Sequence, residues 1–330
     1  TYSGGTTLNA GTLTIGTGSS LGSGALTVAG ASTLDNAAPL VLANNINVNA
    51  NLSFTGNSGL TLGGVIAGAG TLTKNGLAVL TLSGNNTFNG LIDVLAGSLN
   101  TVGSTALGDN AAVNLAVGTT LNIGDSTSIG SLTGDGTVGI GDFDTLSIGG
   151  NNQSSTFAGV LMDGIDPGGL TKLGSGTLTL TGNNTLTGDT NVNAGTLQVN
   201  GSLASGNVLV NNGGTLGGSG TLTSAVTVAD GGHLAGVTGS TLSVESLVFG
   251  GNSSFDVGLG TPVSGGGNAL VNVGGNLTLD GTLNVSDIGG FGSGVYRLIN
   301  YTGGLTDNGM LIGSVPGSVS VGDLQLQTAQ

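Results

Sequence analysis

Along the chain, Leu, Val and Ile alternate with Thr, Ser and Asn over short runs, as in Leu178-Thr179-Leu180-Thr181 and Val271-Asn272-Val273. Alternation with period two puts every second side chain on one buried face and predicts short β-strands. Gly, Asn and Asp, the residues of tight turns, separate the runs. Gly recurs too often for long helices, because inside a helix each one costs about 1 kcal/mol relative to Ala. No apolar run approaches the roughly 20 residues that a bilayer-spanning helix requires.

The pattern repeats on two scales. Gly-Thr-Leu or Gly-Ser-Leu occurs at residues 11–13, 70–72, 97–99, 176–178, 195–197, 214–216 and 281–283, with Leu178, Leu197 and Leu216 each 19 residues apart. Leu13 to Leu34 is 21 residues and Leu99 to Leu121 is 22. That interval suits one coil of a solenoid with about three strands per coil, whose inward side chains are buried only when coils stack. The predicted fold is therefore all-β: a right-handed parallel β-helix (β-solenoid) with about 19–22 residues per coil and a C-terminal cap. The L-x-x-L-x-L-x-x-N pattern of leucine-rich repeats is not sustained, and the Gly-Gly-x-Gly-x-Asp nonapeptides of calcium-binding β-rolls are missing.

The longer repeat pairs Leu72–Leu99 (LTKNGLAVLTLSGNNTFNGLIDVLAGSL) with Leu170–Leu197 (LTKLGSGTLTLTGNNTLTGDTNVNAGTL), identical at 16 of 28 positions without a gap. Thr1–Leu13 matches the end of the same unit at Thr185–Leu197, so the chain is expected to begin inside a repeat. This unit resembles the passenger-associated repeat of type V autotransporters. Gly294–Tyr301 (GVYRLINY), followed by Gly303-Gly304-Leu305 and Leu311–Pro316 (LIGSVP), resembles the C-terminal end of such passengers. The resemblance implies a β-helix over residues 1–265 and an autochaperone-like cap over 266–330, with Tyr296, Leu298, Ile299 and Tyr301 as candidate cap core. It also implies a translocator β-barrel elsewhere in the full-length chain, and export through the outer membrane to the cell surface.

Composition sharpens this picture. Gly makes up 69 of 330 residues, 37% are hydrophobic, 6% charged and 3% aromatic, and there are four Pro and no Cys. So much apolar content excludes disorder, and the absence of a Gly-x-y period with abundant Pro excludes collagen. Without Cys there is neither a disulfide framework nor a thiolate metal site. The formal net charge of −14 makes nucleic acid and anionic lipid poor partners, and no direct membrane insertion of this region is expected. Lys74 and Lys172, the only lysines, occupy the same repeat position. They are read either as turn residues contacting carbonyls or as solvated charges kept by duplication.

Catalytic strings occur without their partners. Gly18-Ser19-Ser20-Leu21-Gly22 matches G-x-S-x-G, yet the chain has a single His, His233. Gly134–Gly139 matches G-x-G-x-x-G in a segment too rich in Gly for the helix that motif requires. His233 is read as an exposed turn residue rather than a zinc ligand. Asp135, Asp142 and Asp144 fall close together, but Asp in Gly turns has a backbone explanation that needs no calcium. No cofactor and no metal are expected. A polysaccharide lyase or glycosidase would carry aromatic platforms and basic groove residues, and here there is no Trp and only three cations.

The expected role is accordingly non-enzymatic: adhesion or cell–cell self-association at the surface, with a stalk presenting an upstream domain as the alternative. The expected partners are a second copy in antiparallel register, or a host or glycan surface. The candidate self-association face comprises Thr81, Asn85, Asn86 and Thr87 with their repeat counterparts Thr179, Asn183, Asn184 and Thr185. Far-UV dichroism should show β-structure with negligible helix, and small-angle scattering an elongated particle. A radius of gyration of about 20 Å, the compact-domain value for this length, would refute the solenoid.

Overall fold

A computed structural model describes residues 2–317 and 319–328; Thr1, Ser318, Ala329 and Gln330, the outermost residues of the two expected domains among them, lie outside the described residues. Among the described residues the chain forms strands, turns and two three-residue 3-10 segments, Ser264–Gly266 and Val321–Asp323, with no α-helix. Strand pairing is parallel from Thr6–Leu8 with Leu26–Val28 to Thr282–Asp287 with Leu311–Ile312. The protein is a parallel β-solenoid in two compact units, Thr1–Leu178 with Asn184–Thr187, and Thr179–Asn183 with Gly188–Gln330.

In the first unit each coil contributes strands to up to three faces. The first face runs through Gly11–Ile15, Ser32–Asn36, Leu52–Phe54, Thr71–Lys74, Leu91–Val94, Ala112–Leu115, Ser131–Gly134 and Ser155–Phe157. The second begins at Leu40–Leu42 and passes through Leu80–Leu82 to Val160–Asp163 and Asn183–Thr185. The third is broken. Thr6–Leu8, Leu26–Val28, Ile46–Val48 and Ile66–Ala67 form one sheet, and Thr127–Ile129, Thr145–Ile148 and Gly169–Lys172 belong to another.

Register explains the alternation. On the second face Leu60, Leu80, Leu99, Leu121, Val138 and Leu161 pair in succession, and all are buried. Like side chains stack on like, each burying apolar surface worth about 1.5–3 kcal/mol. No strand could keep such a column dry by itself. A one-residue slip would turn the column outward.

The second unit is built the same way. Val192, Val210, Val228 and Phe249 stack inward, and Phe249 meets Phe255 with ring centroids 5.7 Å apart. Coil length changes along this unit. Gly195 pairs with Gly214 and Thr215 with His233, intervals of 19 and 18 residues, whereas Ser254 pairs with Thr282 and Leu247 with Leu277, intervals of 28 and 30. The body varies about the expected 19–22 residues, from 17 between Leu121 and Val138 to 24 between Leu146 and Leu170, and the last coils are longer because residues 260–270 and 288–298 loop out between paired strands. The parallel pairing nonetheless continues past residue 266 as far as Leu311–Ile312, as Val271–Val273 pairs with Ile299–Tyr301.

Stacked corners force close backbone approach. At Gly149, with φ of 131°, a β-carbon would run into the Leu173 carbonyl oxygen of the adjoining coil. Gly118 has φ of 79° but open space around it. Gly149→Ala should therefore cost more than about 2 kcal/mol, from strain plus overpacking, and Gly118→Ala only about 1 kcal/mol, for the left-handed backbone alone. Urea unfolding of the two variants checks the order.

Candidate functional site

The shared repeat places its polar residues in two different environments. Lys74 ends the strand Thr71–Lys74 and points inward, in a column between Phe54 and Val94. It is 3% exposed, and its ammonium donates to the carbonyl oxygens of Gly76 and Ala96, the latter at 3.0 Å. Lys172 ends Gly169–Lys172 above Ile129 and Ile148, is 1% exposed, and donates to the carbonyl oxygens of Leu173 and Gly174, the latter at 2.9 Å. The carbonyl contact expected of these lysines is present, but neither is a solvated turn charge. Each aliphatic stem fills a hydrophobic position, and each ammonium staples a coil corner.

Asn86 and Asn184 depart from the exposed face proposed for them: both are buried. Asn86 Oδ1 accepts the Ile66 amide at 2.7 Å, and its Nδ2 donates to the Ala106 carbonyl of the following coil. Residues 83–89 and 102–111 contain no third-face strand, so this carboxamide replaces the missing rungs of the ladder. A buried amide left without such partners would cost several kcal/mol. Asn184 Oδ1 accepts the Leu161 amide at 2.9 Å in the same manner. These internal staples were missed because Asn-Asn-Thr reads as a solvated turn; its recurrence at the same repeat position is the signal that could have revealed them.

The other members of the proposed face are solvent-facing to varying degree. Asn85, Thr87, Asn183 and Thr185 are exposed, and Thr81 and Thr179 half-exposed. They do not form one row. Thr81 lies on the second face, on Leu80–Leu82, while Asn85 and Thr87 lie at the broken third face. Thr185 pairs with Met162 on the second face. The two repeat copies start 98 residues apart, and the count does not divide into whole coils, so Lys74 falls on the first face and Lys172 on the third. The copies preserve local staples, not a common outward direction.

Outward polar columns do exist elsewhere, and their hydrogen bonds run along the stack. Asn122 Nδ2 donates to Asn100 Oδ1 at 2.8 Å, and Asn114 Nδ2 to Asp93 Oδ1 at 2.8 Å, with the Thr133 hydroxyl on Asn114 Oδ1 at 3.0 Å. In the second unit His233 Nδ1 lies 2.6 Å from Asp256 Oδ2, Asn284 Nδ2 donates to Asp256 Oδ1 at 2.8 Å, and Ser314 donates to Asn284 Oδ1 at 3.0 Å. His233 opens the strand His233–Val237 and is tied to the next coil, rather than standing alone in a turn. Asn252 donates through its amide and side chain to Asp230, which holds that carboxyl below its ordinary range.

Of the cap residues, Tyr296, Leu298, Ile299 and Tyr301 are all half-buried. Tyr296 belongs to the loop, stacked on Phe291 at 5.2 Å, with its hydroxyl donating to Gly260 O and accepting from Gly292 N. Ile299 and Tyr301 lie on the last strand of their face. Among the described residues, no three of His, Asp and Glu gather as a metal site would require. Gly18–Gly22 forms a turn, and Gly134–Gly139 joins two strands, so neither string has the helix its chemistry needs.

Fold and repeat define a parallel β-solenoid stabilised by side-chain staples between coils. Residues 1–15, 72–100 and 170–199 match the passenger-associated-transport-repeat family. A 57-residue stretch is 61% identical to the adhesin BmaC autotransporter of Brucella suis biovar 1 (strain 1330), covering 16% of this chain and 2% of that adhesin. These matches show similarity to the repeats of autotransporter passenger regions, which are exported through the outer membrane to the cell surface, over part of the chain.

Burial pulls the Lys172 ammonium from the ordinary lysine value of 10.5 down to about 8, and moves Lys74 in the same direction. Between pH 8 and 10.5 the unfolded chain keeps a proton that the folded chain has released, so stability rises with pH in that window. Below it the desolvation penalty is felt in full. The urea midpoint should increase from pH 7.5 to pH 9.5, and Lys172→Met should remove most of that increase. A midpoint independent of pH in the unmodified protein would refute the buried, charged Lys172.

Proposed function

We propose that this region acts without enzymatic chemistry, as the adhesive surface of an autotransporter passenger, and that a second copy of the chain is one of its partners. The observation that carries the reading is the adhesin likeness of a 57-residue stretch, in a chain with passenger-type repeats and a solenoid whose outward strand positions carry many Thr, Ser and Asn. With net charge −14, like chains repel at long range, but at physiological salt the Debye length is about 8 Å and short-range contacts decide. Hydrogen bonds that are weak singly add up over many coils. A translocator barrel in the full-length protein is the partner for export, and residues 266–330 serve as the cap of the stack.

A stalk role is the second reading, and the closed ladders favour it. Asn122 with Asn100, and Asn284 with Asp256, already satisfy each other, which leaves fewer groups free for a neighbour. The test separates the two. Cells displaying the full passenger should clump, added salt should strengthen the clumping, and replacing the exposed Asn85, Thr87, Asn183 and Thr185 with Asp should weaken it without lowering the melting temperature. Settling no faster than bare cells across a salt series would favour the stalk.

A further inference from the structure

One corner of the first unit presents apolar side chains that its own fold does not use. The turn after Ile140 contains Asp142 and Phe143 at φ of 56° and 62°, two consecutive non-Gly residues in the left-handed region. Such backbone costs about 1–2 kcal/mol per residue, and Phe143 gains no burial in return: it is 73% exposed. The corresponding turn of the next coil carries Ile165, 95% exposed, and Met162 on the adjoining strand is 41% exposed. Ile140 pairs with Asp163, and a β-carbon on Gly141 would lie 3.3 Å from the Gly164 Cα, so the two turns are stacked. Phe143 and Ile165 therefore project from one doubled corner.

We propose that this corner is a docking site for a basic segment of another protein that carries apolar side chains. Charge selects that occupant. Asp144 is engaged by the Ser126 hydroxyl at 3.0 Å, and Asp163 by Gly168 and Thr187, whereas Asp142 and Asp166 have no hydrogen-bond or ion-pair partner among the described residues. Two uncommitted carboxylates beside exposed Phe and Ile suit a ligand that alternates cationic and apolar groups. A second copy of this chain does not supply one. Of its three cations, Lys74 and Lys172 are buried, leaving Arg297. Nucleic acid and anionic lipid would meet like charge.

The site is separable from self-association, because it is read in solution with the purified chain rather than by cell clumping. The probe is a fluorescent synthetic peptide of alternating Lys and Leu, with an oligolysine of equal charge as its comparison, followed by anisotropy. The intact chain should bind the Lys-Leu peptide at least tenfold more tightly than oligolysine. Phe143→Gly with Ile165→Gly should weaken binding at least tenfold while keeping the melting temperature, since Gly accepts the left-handed backbone of position 143 without strain, and the Ile165 side chain, 95% exposed, contributes no burial. Asp142→Asn with Asp166→Asn should weaken it at least fivefold. Asp109→Asn with Glu245→Gln, which removes the same charge elsewhere, should leave it within twofold. Failure of the intact chain to bind, equal binding by oligolysine, retention by the Gly pair, or equal loss in the charge control would each overturn the proposal.

Discussion

Everything in this protein depends on the vertical contact between coils. A coil of about 20 residues has no core of its own; its inward Leu and Val become buried only when the same positions above and below are filled. Backbone groups obey the same constraint, since parallel rungs join neighbouring coils, as Leu121 joins Leu99 and Val138. Low charge is compatible with this arrangement because the stabilising terms are apolar columns and ladders, joined by side-chain contacts between coils such as His233 Nδ1 with Asp256 Oδ2.

Stacking tolerates polar inward residues only when they bring their own partners. Asn86 is tolerated because its carboxamide bonds both neighbouring coils where the third face loses its strands. Lys74 and Lys172 are tolerated because the stem packs as a hydrocarbon and the ammonium reaches corner carbonyls. These residues trade desolvation for a fixed corner. The lowered pKa of Lys172 is the remaining cost of that exchange.

The sequence repeat and the structural coil are different units, which bears on how such a surface recognises anything. The two long copies keep the Lys staple and the buried Asn, yet Lys74 and Lys172 sit on different faces of the first unit. Duplication therefore does not create a uniform stripe. Outward features that differ from the repeat arise where a particular coil departs from the pattern, as at the corner of Phe143 and Ile165, or where loops lengthen the last coils.

Alternation, turn residues and the 19-residue recurrence were sufficient for the all-β solenoid and its coil length, because each is a local rule that any stacked arrangement must satisfy. The passenger likeness was equally legible, since it resides in contiguous strings. What the chain alone did not settle was direction. Asn86 and Asn184 read as exposed turn residues and are buried, and Lys74 and Lys172, which read equally as carbonyl-binding turn residues or as solvated charges, reach carbonyls from within apolar columns. Whether a polar side chain turns in or out depends on what the coil 20 residues away leaves unsatisfied. That information is absent from the local pattern and appears only when register brings the coils together.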